Sequence, residues 1–184
     1  RRIGFISTRF AGTDGVSLET AKWATVIERL GHECFYFSGL SDRPTEISYV
    51  VPEAFYRHPT IDAINQVVFA GTWGILHEGR KTHPEIEELH QDFFSVYIRP
   101  ARISKQVQEL KEYFKEHLYK FAHQFRLEAL ITENALTIPV NIPLGLALTE
   151  FIAETGYPVI AHHHDFHWER QRFMNNSVRD YLAT

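Results

Sequence analysis

The chain has 184 residues, of which 44% are hydrophobic and 14% aromatic, enough for one domain with its own core. Its net charge of −4 argues against a general nucleic-acid-binding protein, because such proteins carry an excess of basic residues. The single cysteine, Cys34, excludes an internal disulfide framework. Because it lies within an apolar run, we expect a buried thiol.

The sequence lacks the features of a membrane or secreted protein. No run approaches the roughly 18 apolar residues that a membrane-spanning helix needs. The N-terminus does not have the pattern of a signal peptide, so we expect a cytoplasmic protein. The chain ends within a helix-like pattern, and we expect the protein to continue beyond Thr184.

The first forty residues predict a strand, a glycine-containing loop, a helix and a second strand. The strands are predicted over residues 3–7 and 33–37, and both are short apolar runs. Between them, Ser17 is the expected N-cap of a helix that Gly31 terminates. Because such βαβ crossovers are right-handed, a parallel sheet is the expected product.

The rest of the chain predicts further strands and helices of the same fold class. We find no repeats and no low-complexity linker, so residues 1–184 are predicted to form one α/β domain. Its Rossmann-like parallel sheet would carry helices on both faces. The further predicted elements are a strand at 47–51, mixed signals at 60–76, helices at 84–97 and 103–125, a strand at 129–132, a helix at 143–155 and a strand at 158–161.

Three polar clusters follow predicted strands. They are the loop at 10–17, the pair Glu133 and Asn134, and the run at 162–170. In open parallel sheets, ligands bind beyond the carboxyl ends of the strands. We therefore take Glu133, Asn134 and His162 as candidate substrate-binding residues.

The loop at 10–17 supports two interpretations equally. Backbone N–H groups at a helix N-terminus favour phosphate or another anion. The loop is not a dinucleotide fingerprint, because it has Gly12 and Gly15 but no third glycine, and the second strand has no acidic residue at its tip. Alternatively, the glycines serve a tight strand-to-helix turn.

The run at 162–170 contains four histidines and Asp165. Strand alternation places His162 and His164 on one face and His163 on the other. We favour histidines that contact a ligand. Histidines packed beneath the loop are a second interpretation, and a metal site a third, although no recognised zinc spacing is present. Farther along, Glu169 and Arg170 are expected to pair locally.

Three stretches carry a resemblance to a known family: R-I-G-F-I with D-G-V-S-L-E, L-G-H-E-C, and P-V-I-A-H-H-H-D-F. They resemble the N-terminal domain of retaining GT-B-fold glycosyltransferases of the glycogen-synthase and sucrose-synthase-like group, the family-four type. The resemblance covers both ends of the chain and leaves residues 43–126 unsupported.

The resemblance implies a single GT-B N-terminal domain on the acceptor side of a hexosyltransferase. It implies that Gly15 and Val16 lie near the donor diphosphate, and that His164 and Asp165 line the sugar site as catalytic residues. Asp14 replaces a common glycine and is expected to face the acceptor. The partners implied are a nucleotide-diphosphate sugar, an acceptor with a hydroxyl group and a C-terminal donor-binding domain beyond this chain, with no cofactor or essential metal.

Two other function classes stay open. The first is a non-catalytic nucleotide- or sugar-binding module that acts with a partner chain. The second is a metal-dependent hydrolase built on His162, His164, Asp165 and His167. A nicotinamide oxidoreductase is disfavoured by the missing glycine and the missing acidic tip.

Overall fold

The structure, a computed structural model, describes residues 1–69 and 98–183 and is built around a parallel sheet. The helix predicted at 84–97 lies outside the described residues. The first half comprises β1 (Arg2–Ile6), α1 (Gly15–Arg29), β2 (Glu33–Ser38), β3 (Ser48–Val50) and α2 (Pro59–Val68). The second half comprises α3 (Ala101–Phe125), β4 (Ala129–Glu133), α4 (Ile142–Thr155), β5 (Val159–His162), α5 (Gln171–Met174) and α6 (Arg179–Leu182).

The five described strands lie in the order β3-β2-β1-β4-β5, and every neighbouring pair is parallel. Strand β1 is central: its Ile3 is opposite Cys34 of β2 on one side and Ala129 of β4 on the other. After β1, the chain adds β2 and β3 on one side of it and then β4 and β5 on the other. The predicted Rossmann-like sheet is confirmed, with its switch point between β1 and β4.

Side chains alternate between the two faces of the sheet, and helices cover both. Phe5 and Tyr36 stack on each other, with ring centroids 5.6 Å apart, in the core that faces α1. Ile6 and Phe37 lie in the larger core that faces α3 and α4. Burying one such side chain contributes about 1.5–3 kcal/mol.

Helices α3 and α4 pack on the same face of the sheet and are joined by charged groups. Glu150 of α4 accepts from Lys111 Nζ at 2.5 Å and from Lys115 Nζ at 2.9 Å. These bonds lower the pKa of Glu150. We call Lys111, Lys115 and Glu150 the helix cluster.

The element boundaries differ slightly from the sequence-based ones. The third strand is shorter than predicted, because Thr45–Ile47 form a 3₁₀ turn before it. The mixed segment at 60–76 begins as helix α2. Cys34 is buried, as predicted, and desolvation raises the pKa of its thiol to about 12. Among helices within 1–69 and 98–183, none combines the length and apolarity needed to cross a membrane.

Candidate functional site

A crevice opens at the carboxyl edge of the sheet, at the switch point between β1 and β4. Ser7, directly after β1, donates its hydroxyl to the carbonyl of Glu133 at the end of β4, at 3.1 Å. We call this cleft the switch-point crevice. Its lining includes Ser7, Arg9, Asp14, Val16, Tyr56, Glu133, Asn134, Asp165, Arg170 and Arg172.

All three polar clusters meet here. The loop contributes Asp14 and Val16, the end of β4 contributes Glu133 and Asn134, and the run after β5 contributes Asp165. The sequence placed these clusters at one edge of the sheet, and the structure places them around one cleft. What each residue does there stays a prediction.

Glu133 is a buried carboxylate held between two histidines. Its side chain is fully covered. Its Oε2 lies 3.2 Å from His164 Nε2, in hydrogen-bond geometry, and 2.9 Å from His162 Nδ1. Burying a carboxylate is unfavourable unless it is paired, so the hydrogen bond with His164 stabilises it, whereas His162 Nδ1 lies near but makes no hydrogen bond among the described residues. Its other oxygen, Oε1, is buried and has no protein partner among the described residues.

The hydrogen bond to Glu133 fixes the chemistry of His164. An ionised carboxylate only accepts hydrogen bonds, so Nε2 of His164 carries the proton. Nδ1 is then the nitrogen that can accept from a hydroxyl group. The backbone at His164 is also held in place, because His164 N donates to Asn134 Oδ1 at 2.7 Å. Asn134 itself has a left-handed backbone, with φ of 59°.

His162 is held by ring contacts with two neighbours. Its ring stacks on Trp23 of α1, with centroids 4.6 Å apart, and its centroid is 4.5 Å from that of His164. The stack ties helix α1 to the end of β5. It also brings Trp23 of helix α1 close to the candidate site.

His163 lies on the other side of the strand, as the alternation predicts. Its Nδ1 is 3.2 Å from the Thr137 hydroxyl, and its ring is 5.7 Å from that of Phe166. Burial, with a smaller effect from the charge of His162, lowers the pKa of His163. The neutral form is therefore favoured, and the packed-histidine interpretation describes this residue.

Asp14, not Ser17, is the N-cap of helix α1, which corrects the predicted cap. Its carboxylate accepts from Ser17 N at 3.2 Å and from the Ser17 hydroxyl at 2.6 Å, and it pairs with Arg9 at 3.0 Å. Burial alone would raise the pKa of Asp14, but the Ser17 bonds and the Arg9 charge outweigh it, so the pKa is lowered. The helix starts three residues earlier than predicted because Asp is as good a cap as Ser.

Gly15 begins helix α1 in open space. A Cβ built there would meet nothing within 4 Å, and its φ is not in the left-handed region, unlike that of Gly12 at +79°. The fold therefore does not require glycine at position 15. Gly15 and Val16 belong to the first helical turn, whose N–H groups lack partners within the helix.

Asp165 pairs with Arg170 at 2.5 Å across five residues. The expected Glu169–Arg170 pair is therefore wrong. Glu169 instead accepts from the Phe166 backbone N–H at 2.8 Å, which closes the 3₁₀ turn at His167–Glu169. A three-residue turn brings position 165 back to position 170, which strand alternation does not reveal.

The metal-ligand set considered from the sequence is also corrected. Within 1–69 and 98–183, the His, Cys, Asp and Glu groups close enough to share one ion are Glu133, His162 and His164. Asp165 is paired with Arg170 and does not join them. His167 lines a different pocket, beside helix α4.

Sequence reasoning missed the basic residues of the crevice. Arg9 and Arg172 are separated by most of the chain, and no motif contains them. Tyr56, whose ring lies 5.7 Å from the Arg9 guanidinium, was also missed. The one available signal was the position of Arg9 directly after the first strand, at the edge where ligands bind.

Two curated proteins are similar to this chain, and both are named mannosylglucosylglycerate synthase. The chain is 24% identical over 180 residues to the protein of Petrotoga mobilis and 25% identical over 178 residues to that of Thermotoga maritima. The alignments cover 98% and 97% of this chain. No protein-family model matches the chain, and no solved structure matches it.

These relatives are glycosyltransferases, and that supports the glycosyltransferase resemblance at this level. The chain spans 35% of the length of each relative. The family-four type, the retention of configuration and the substrates stay predictions.

Proposed function

We propose that this chain is the acceptor-side domain of a glycosyltransferase that moves a hexose from a nucleotide-diphosphate sugar to an acceptor hydroxyl with retention. The observation that supports the proposal is the switch-point crevice, where Asp14 and Val16 at the start of α1 face Asp165, the residue that follows His164. The glycosyltransferase relatives, which align over nearly the whole chain, support the same class of reaction.

The start of helix α1 suits a donor phosphate. The N–H groups of Gly15 and Val16 carry part of the positive end of the helix dipole, about half an elementary charge. The absence of a Cβ at Gly15 leaves room for close approach. The negative charge of the Asp14 carboxylate opposes the positive end of the helix dipole. Ser17 donates a hydrogen bond to this carboxylate, and Arg9 pairs with it, so its charge is compensated.

His164 and Asp165 are proposed to face the transferred sugar. Glu133 orients His164, so that Nδ1 can accept from a sugar hydroxyl. Because the Glu133 side chain is fully covered, we assign it a positioning role behind the histidines. In the reaction, the anomeric carbon exchanges its bond to the diphosphate oxygen for one to the acceptor oxygen, and the hydroxyl proton leaves with the diphosphate.

The donor would be held mainly by a second domain outside this chain. The relatives are named for a product of mannose, glucose and glycerate. We therefore propose glucosylglycerate as an acceptor and an activated mannose as the donor. No cofactor is proposed.

The test is an assay of the full-length protein with GDP-mannose, UDP-glucose and related donors and with glucosylglycerate. We expect release of the nucleotide diphosphate and a product whose mass increases by one hexose, with an anomeric proton signal that shows retention. Nucleotide binding without turnover for any donor would instead favour the non-catalytic module.

A second candidate is metal-dependent hydrolysis, which the Glu133, His162 and His164 group favours. One carboxylate and two imidazoles form a common zinc-binding set. Elemental analysis of the purified full-length protein separates the two candidates. Stoichiometric zinc or manganese, together with ester or phosphoester hydrolysis that a chelator abolishes, would support the hydrolase.

A further inference from the structure

Ligand atoms of three side chains lie together at the carboxyl ends of β4 and β5. Oε2 of Glu133 lies 2.9 Å from His162 Nδ1 and 3.2 Å from His164 Nε2. One ligand atom of each residue lies within 4.8 Å of those of the other two. In a tetrahedral zinc site with bonds of about 2.0–2.1 Å, neighbouring ligand atoms are about 3.3 Å apart. The three groups are therefore close to the spacing that one zinc ion requires.

Hydrogen bonds within the protein leave two polar atoms of this group unsatisfied. Oε1 of Glu133 and Nδ1 of His162 are both buried, and neither has a hydrogen-bond partner among the described residues. Burying polar atoms without partners is unfavourable. A cation bound by the carboxylate and the imidazole would stabilise both groups.

The three side chains are held in position by their surroundings. Glu133 is directly opposite His162 in the register of β4 and β5. The ring of His162 stacks on Trp23 with centroids 4.6 Å apart, and His164 N donates to Asn134 Oδ1 at 2.7 Å. Contacts that fix the orientation of metal ligands strengthen metal binding.

An ion can reach this group from solvent. The side chains of His162 and His164 are 23% and 25% exposed, whereas that of Glu133 is fully covered. The buried carboxylate supplies a negative charge, and the imidazoles supply nitrogen ligands. Imidazole suits zinc, whereas magnesium and calcium prefer oxygen ligands. The chemistry of the group therefore selects zinc.

A zinc ion at this position would change what His164 can do. Without the ion, Nε2 carries the proton toward Glu133, and Nδ1 accepts from a hydroxyl group. Zinc binds the lone pair of Nε2, so the ring proton moves by way of water to Nδ1, and the ring stays neutral. Nδ1 then donates a hydrogen bond and no longer accepts one.

We propose that Glu133, His162 and His164 bind one Zn²⁺, whose fourth position faces the switch-point crevice, and that the bound ion inhibits sugar transfer. The zinc site does not depend on the reaction, whereas the inhibition rests on the proposed function. The inference goes beyond both candidate functions, because here the ion is an inhibitor. In the hydrolase candidate it is required for turnover.

The first experiment is a zinc titration of the full-length protein against a chromophoric zinc indicator. Any affinity tag is removed, and bound metal is stripped with a chelator beforehand. We expect E133Q and H162Q each to lose the same one zinc ion per chain, with affinity reduced about a hundredfold or more. Each variant removes a ligand, and even the groups behind metal ligands contribute about tenfold to hundredfold.

H163Q and H167Q are the matched controls for the titration. His163 lies on the other side of the strand, next to Thr137, and His167 lines the pocket beside helix α4. Both variants should keep the zinc affinity of the unmodified protein. Thermal unfolding identifies any variant that fails to fold, and the other ligand variant then carries the test. Zinc should raise the unfolding temperature of the unmodified protein but not that of E133Q.

The second experiment measures sugar transfer by the metal-stripped full-length protein with and without zinc. Saturating zinc should lower kcat about tenfold to hundredfold, because His164 no longer accepts a proton, and excess chelator should restore the rate. Whatever transfer H162Q retains should be insensitive to the same zinc concentration. H163Q should be inhibited like the unmodified protein. This comparison also excludes capture of zinc by the donor diphosphate, which would affect every variant.

The outcomes separate this inference from the proposed function. Absence of zinc binding, or equal binding by the unmodified protein, E133Q and H162Q, rejects the site. Equal inhibition of H162Q, or transfer that requires zinc, overturns the inhibitory role. If no donor supports transfer, the proposed function fails, and the titration with its ligand variants then decides the zinc site alone.

Discussion

Charged side chains are arranged differently in the helix cluster and in the switch-point crevice. In the helix cluster, Lys111 and Lys115 both bind Glu150, and Glu112 and Glu154 supply further carboxylates to the same lysines. In the switch-point crevice, the buried Glu133 lies beside two histidines and keeps one oxygen without a protein partner among the described residues.

The difference separates charges that satisfy one another from a buried carboxylate that is only partly satisfied. Opposite charges that satisfy one another tie helix α3 to helix α4 and need nothing further. A half-satisfied buried carboxylate destabilises the fold, and such groups are retained where they serve a site. Substitutions in the helix cluster should therefore change stability, and those in the crevice should change transfer.

The largest expected effect comes from E133Q. We expect kcat for sugar transfer to fall about a hundredfold, because the amide no longer holds His164 in its proton-accepting form. The KM of the acceptor should change little, and E133D should recover part of the rate. Steady-state kinetics of the full-length protein measure both.

The unfolding midpoint provides the control for E133Q. It should stay near that of the unmodified protein, since glutamine has almost the same shape and removes a buried charge. A large loss of stability with an unchanged kcat would instead place Glu133 among the structural charges, like Glu150.

A smaller effect is expected from G15A. A methyl group at position 15 should obstruct a donor phosphate and lower kcat/KM for the donor about tenfold, or about 1.4 kcal/mol. The fold should tolerate it, because a Cβ there meets nothing. G12A is the matched comparison. Its left-handed backbone should make alanine destabilising by about 1–2 kcal/mol. Unchanged donor kinetics in G15A would show that the donor does not bind at this loop.

The smallest effect is expected from E150Q. Glu150 is partly exposed, so solvent screening should limit the loss of unfolding free energy to about 1 kcal/mol or less. Sugar transfer should be unaffected. Urea unfolding measures the change in the free energy of unfolding, and the transfer assay measures the rate of sugar transfer. A defect in transfer would contradict the division into two regions.

The loss in E150Q should also depend on pH. The lysines lower the folded-state pKa of Glu150, so its contribution is present above the unfolded value. It is lost as the pH falls through the folded value. The difference between the two proteins should therefore be seen at pH 7 and shrink below about pH 4.

Local patterns in the sequence determined the strands, most helices and the sheet edge at which the polar clusters lie. Alternation separated Phe5 from Ile6 and His163 from its neighbours, because successive residues of a strand face opposite sides. Each of these features depends on residues a few positions apart, which is the range over which sequence patterns carry information.

Only the tertiary structure decided which charges meet. Glu133 and His164 are 31 positions apart, and Arg9 and Arg172 come from opposite ends of the chain. Their approach depends on strand order and on how the C-terminal segment packs, and neither leaves a local pattern. The sequence therefore predicted a site at this edge of the sheet. Tertiary packing brought Glu133 into contact with the histidines and placed Arg9 and Arg172 at the same crevice.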